Sequence, residues 1–110
     1  METSYFAKYR GGDGVNIARF PIKGWAGRCY PKLYPSASLL FDYKANGDKE
    51  EYVNRYYYDV LGKLNAEQVF SELGENAVLL CYEKSGAFCH RRIVAQWLED
   101  RLDIDVPEFR

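Results

Sequence analysis

The chain has 110 residues, 47% of them apolar, with 15 basic and 16 acidic side chains and a formal net charge of −1. That length and apolar content exclude a disordered chain and predict one folded domain over residues 1–110. The near-zero charge excludes a generic nucleic-acid coat. Three cysteines without framework spacing, and neither a signal-peptide pattern nor an apolar run of membrane length, predict a reduced, cytoplasmic protein with no membrane partner.

In chain order, residues 4–9 alternate and favour a strand, and Arg10-Gly11-Gly12-Asp13-Gly14 is a turn. That glycine run is too short and wrongly spaced for a nucleotide fingerprint, so it predicts a hairpin or connector. Residues 15–20 form a second short strand stopped by Pro21. Residues 21–34 are punctuated by Pro21, Gly24, Gly27 and Pro31, with Trp25, Arg28, Tyr30 and Tyr34 interleaved. An aromatic, basic loop of this length is either functional or pinned by its own aromatics.

Ser36 caps a helix running to about Ala45, with Asn46-Gly47 as its stop. Asp48 opens a longer helix to about Leu61, whose Tyr52, Val53, Tyr56, Tyr57, Val60 and Leu61 recur at three- and four-residue spacings. A third helix covers residues 66–73 and ends at Gly74. Residues 77–81 read as a buried central strand, residues 89–102 as a helix with Ile93, Val94, Trp97 and Leu98 inward, and residues 104–106 as a closing strand. The pattern predicts a small Rossmann-like α/β layer fold, its largely parallel central sheet flanked by helices.

Charge is unevenly spread. Residues 1–34 carry six bases against Glu2 and Asp13, while residues 35–76 carry four bases against eight acids. The basic third either faces a phosphate-bearing partner or pairs with the acidic middle of the same chain. The ten tyrosines suit a wide cleft or an interface, and the helix around residues 52–58 is the predicted face of a homodimer.

Chemistry concentrates in residues 81–92. A strand end carries Cys81 and Glu83, residues 84–88 form a loop, and Cys89, His90, Arg91 and Arg92 open a helix. These residues are expected to converge at the carboxyl end of a parallel strand, where helix N–H groups favour negative charge. A thiol there beside histidine and arginine gains thiolate character, so Cys89 is the candidate nucleophile, with His90 and Glu83 as acid/base groups. The bland reading is that both cysteines simply pack. Arg91 and Arg92 sit in a first helical turn, where a cation is disfavoured. They require an offset: a bound anion, or a salt bridge to Glu83 or to the acidic middle segment. Arg91 and Cys81, with Arg19, Arg28, Trp25 and Tyr34 as the far wall, form the predicted ligand-binding set. A Cys81, Cys89, His90 and Cys29 metal set has poor spacing and no CxxC pair, so neither a metal nor a cofactor is expected.

The run Leu79-Leu80-Cys81-Tyr82-Glu83-Lys84, followed by Phe88-Cys89-His90-Arg91-Arg92 and Ile93-Val94-Ala95-Gln96-Trp97, resembles the family grouped as domain of unknown function 488. Tyr34-Pro35-Ser36, Tyr43-Lys44, Tyr52, Tyr56 and the Ile17-Ala18-Arg19 strand ahead of Pro21 are similar too. The resemblance spans nearly the whole chain. It implies a small intracellular α/β fold with Cys81, Glu83, Cys89, His90 and Arg91 around one site. It carries no reaction with it, and Cys29 has no place in its pattern.

Three functional classes follow. The first is a site that binds, and either processes or only recognises, a nucleotide or other phosphate-bearing ligand, with nucleic acid an open partner class. The second is an interaction protein in which the cluster is a buried polar network. The third is a cysteine-dependent enzyme or thiol switch.

Overall fold

A computed structural model describes residues 1–83 and 87–109. Four strands form one sheet: β1 (Glu2–Tyr5), β2 (Gly14–Asn16), β3 (Arg28–Cys29) and β4 (Val78–Cys81). Their order is β1-β4-β2-β3 and every neighbouring pair is parallel. The helices are α1 (Ala37–Asn46), α2 (Lys49–Asp59), α3 (Ala66–Leu73) and α4 (His90–Leu102). This is the expected small α/β fold, a parallel sheet with flanking helices. Among the described residues no helix is long and apolar enough to cross a membrane.

Local chemistry sets the helix ends. The Ser36 hydroxyl accepts a hydrogen bond from the Leu39 N–H, and Gly47 ends α1 with φ 64°. Asp48 and Asn65 cap α2 and α3 in the same way, accepting from Glu51 N–H and Gln68 N–H. α2 stops at Asp59, and residues 61–63 form a short 3₁₀ turn where the sequence predicts more α-helix.

β4 is buried along its whole length. Leu79 and Val15 join the larger core with residues of all four helices, Leu39, Tyr56, Val69 and Val94 among them. Val78 and Leu80 belong to a second cluster with Phe6, Ala18, Cys81 and Cys89, bordered by Tyr9 and Trp25, which takes no residue from within a helix.

The glycine turn is the connector of the two forms expected, because β1 and β2 lie on opposite sides of β4 and parallel to it. Two expectations are corrected. The second strand is only three residues long. The Asn16 side chain accepts from Ala18 N–H (2.9 Å) and donates to Ala18 C=O (3.0 Å), which bends the chain out of the ladder. Residues 104–106 form no strand. The tail meets β1 further on, through a single parallel bridge between Thr3 and Glu108. The predicted turn at residues 84–88 lies largely outside the described residues.

Candidate functional site: a cysteine pair beside a buried histidine

Cys81 is the last residue of β4 and Cys89 is the N-cap of α4. Both are buried, and their sulfur atoms meet in disulfide contact across a Cα–Cα distance of 7.4 Å, longer than the roughly 4.4–6.8 Å usual for the bond. The strand end and the helix start therefore meet at one point, at the carboxyl edge of the parallel sheet.

His90 is buried against this pair. Its Nε2 lies 2.7 Å from the Ile17 carbonyl oxygen, which can only accept, so Nε2 carries the proton. The lone pair of the neutral ring is then on Nδ1, 3.8 Å from Cys89 Sγ. Burial, only partly offset by the Ile17 hydrogen bond and reinforced by Arg91, holds the imidazole down at about 4, so the ring is neutral near pH 7. Cys81 Sγ, Cys89 Sγ and His90 Nδ1 all lie within 4.8 Å of one another.

These three residues line a cavity of about 170 Å³ together with Glu83, Arg19 and the rings of Tyr43, Tyr52 and Phe88. Phe88 contacts both Tyr43 and Tyr52 at 5.2 Å between ring centroids. Burial, and then the Glu83 carboxylate, push the Tyr52 phenol up.

Arg91 is fully buried. Its Nε and Nη2 donate to the two carboxylate oxygens of Glu108 at 3.1 and 2.8 Å, and its Nη1 points at Cys81 Sγ at 3.0 Å. Arg92 donates to Thr3 Oγ1 and to the Val106 carbonyl, both at 2.8 Å. The offset for two cations in a first helical turn is thus supplied by the C-terminal tail. Glu108 also accepts from the Thr3 hydroxyl. Sequence reasoning missed Glu108 as the partner. The signal available was an acid two residues beyond Val106, the last residue of the predicted strand 104–106.

The basic N-terminal third pairs largely within the chain. Arg28 donates to the Leu73 and Glu72 carbonyls at 3.0 and 3.2 Å, closing the carboxyl end of α3. Lys32 and the Tyr30 hydroxyl both reach the Glu72 carboxylate, which the Tyr30 hydrogen bond above all pulls down to about 2. Trp25 donates to the Arg28 carbonyl and packs on Phe6. Tyr34 accepts from Asn16 Nδ2 at 3.2 Å. Of the predicted ligand-binding residues, Arg19 and Cys81 line the cavity, while Arg91, Arg28, Trp25 and Tyr34 serve these other contacts. Of the predicted catalytic set, Cys89, His90 and Glu83 all line it.

Comparison with curated proteins finds no match, and neither does comparison with solved structures. Residues 5–102 match the family profile DUF488-N3a, described as the active DUF488-N3 subclade. That match covers the strand end, the histidine and all of α4, and the chain belongs to the DUF488-N3a family.

Proposed function

We propose that the protein works through thiol chemistry, with Cys81 and Cys89 a reversible dithiol–disulfide pair at the wall of an aromatic cavity. One observation carries this: the two sulfurs are bonded to one another where β4 ends and α4 begins, beside His90 and facing the cavity. In the dithiol form Cys89 is the attacking group. It sits at the helix N-terminus, which favours a thiolate, and its S–H has the Nδ1 lone pair as acceptor.

The oxidant is a low-molecular-weight disulfide. The Cys89 thiolate attacks one of its sulfurs and releases one thiolate. Cys81 then loses its proton and attacks Cys89 Sγ, releasing the second thiol. The protein loses two electrons and two protons, and the small disulfide becomes two thiols. Arg91 Nη1 at Cys81 Sγ steadies the charge on the resolving sulfur. Membership in a subclade described as active agrees with a site that does chemistry.

A second reading is a phosphate-bearing or nucleotide ligand in the same cavity. Arg19 at the wall and the Tyr43, Tyr52 and Phe88 rings favour it, as a cation and stacking surfaces. Glu83 would then serve as hydrogen-bonding or acid/base group. Alkylation rate against pH separates the two. In the thiol reading Cys89 of the reduced protein reacts faster near neutral pH than a free thiol, and the Cys89→Ser variant loses that fast phase. If Cys89 reacts no faster than a free thiol, and nucleotides or sulfate raise the melting temperature, the second reading replaces the first.

A further inference from the structure

We propose that in the dithiol state Cys81, Cys89 and His90 hold one thiophilic divalent cation of the zinc class, with the cation's fourth position open to the aromatic cavity. This rests on the reading that the cysteine pair opens to two thiols. Three features of the geometry support it.

The first is spacing. A tetrahedral zinc, with bonds of about 2.3 Å to sulfur and about 2.0 Å to nitrogen, sets its ligand atoms roughly 3.5–3.8 Å apart. Cys89 Sγ and His90 Nδ1 already stand at 3.8 Å, and all three donor atoms lie within 4.8 Å. The second is the backbone. The two cysteine Cα atoms are 7.4 Å apart, wider than the roughly 4.4–6.8 Å usual for a disulfide. That spacing suits two separate thiols, so metal-ligand positions need no widening of the gap between strand end and helix start, whereas closing the disulfide draws the two together. The third is the imidazole. Its Nε2–H is given to the Ile17 carbonyl, which fixes the ring and leaves Nδ1 facing the sulfurs. Metal-binding histidines are oriented in this way, by donating the other ring N–H to a carbonyl or carboxylate.

The donor set selects the metal. Two thiolates and an imidazole suit zinc and disfavour magnesium or calcium, which take oxygen ligands. All three donors line the cavity, so a cation held by them keeps an exchangeable position on that side, where Glu83 is the available carboxylate. Three protein ligands and one open position is the arrangement of zinc sites that bind or activate a small molecule. Cys29, exposed and hydrogen-bonded to Asn16, takes no part.

The test uses the full chain, reduced and chelator-treated under anaerobic conditions. Titration with Co²⁺ is expected to give tetrahedral d–d bands and a thiolate-to-cobalt charge-transfer band that saturate at one equivalent, and Zn²⁺ is expected to bleach them. Cys29→Ser should leave spectrum and stoichiometry unchanged. Cys81→Ala, Cys89→Ala and His90→Gln should each weaken zinc binding by about 100-fold or more. A variant that fails to fold is bypassed by a footprint on the unmutated protein. One equivalent of zinc should protect Cys81 and Cys89 from alkylation while Cys29 reacts at its metal-free rate. An octahedral cobalt spectrum, or full alkylation of Cys81 and Cys89 in the presence of zinc, overturns the proposal. Zinc protection in a protein that never forms the disulfide would remove the redox reading and keep the metal site. A reversible disulfide without zinc protection would do the reverse.

Discussion

Arg91 decides whether the arginines of this segment serve a ligand or the fold, and its ion pair gives a measurable answer. The guanidinium is 0% exposed and the Glu108 side chain 13% exposed. Two parallel N–H···O bonds at 3.1 and 2.8 Å join them, the bidentate geometry that arginine and carboxylate favour. Removing one member of such a pair takes away the other's charge partner, at a cost of about 3–5 kcal/mol. Glu108→Gln leaves a fully buried guanidinium without its counter-ion and belongs at the upper end. Arg91→Met leaves a carboxylate that water partly reaches and belongs at the lower end. A domain of this size has a total stability of about 5–15 kcal/mol, so either change is a large fraction of it. Urea unfolding at pH 7 of the wild type, both single variants and the double variant forms a cycle. The expected coupling is about 2 kcal/mol or more, with the double variant recovering part of the loss. Single losses under about 1 kcal/mol with coupling near 0.5 kcal/mol would match an exposed pair. That result would refute the structural role and return Arg91 to the pool of free anion-binding groups.

Other consequences are equally direct. His90 in the folded, metal-free protein titrates at about 4 against an ordinary 6.5, so between those values the unfolded chain binds the extra proton and stability falls as pH is lowered. Between pH 7 and 5 the loss is about 2 kcal/mol by urea unfolding, and it should vanish in His90→Gln, which retains a donor for Ile17. An equal loss in that variant would assign the effect to other groups. The Tyr56 hydroxyl is buried and donates to the Leu33 carbonyl at 2.7 Å. Tyr56→Phe should therefore cost about 1–2 kcal/mol, read as a lower urea midpoint. Asp103 closes α4 with φ 54°, a conformation glycine adopts without side-chain strain. Asp103→Gly should raise stability by up to about 1 kcal/mol, or a few degrees in melting temperature.

Much of the architecture is legible because it is local. Ser36, Asp48 and Gly74 announce helix ends through hydrogen bonds and dihedrals that involve only near neighbours. The cysteine pair and His90 are legible because they lie on one strand-loop-helix unit with short reach. What the sequence does not show is long-range pairing. Arg28 finds its acceptors 44 and 45 residues away, and Arg91 finds Glu108 just beyond residues 104–106, where the sequence predicts a closing strand. An arginine's sequence neighbours do not reveal which carboxylate the folded chain will bring to it. The shortened β2 is a different case. Asn16 competes with the ladder through its own side chain, and a strand pattern read from apolar alternation passes over that.

The proposed thiol chemistry requires that Cys81 and Cys89 form a reversible pair distinct from the exposed Cys29. It is tested most directly by equilibrating the chelator-treated protein across a series of reduced-to-oxidised glutathione ratios, quenching with acid and mapping the linkages by mass spectrometry. One cooperative two-electron transition is expected, in which a peptide containing Cys81 linked to Cys89 appears and disappears reversibly. Glutathione is then found only on Cys29. Cys81 and Cys89 remaining as separate thiols under fully oxidising conditions, or pairing with Cys29 instead, would contradict it.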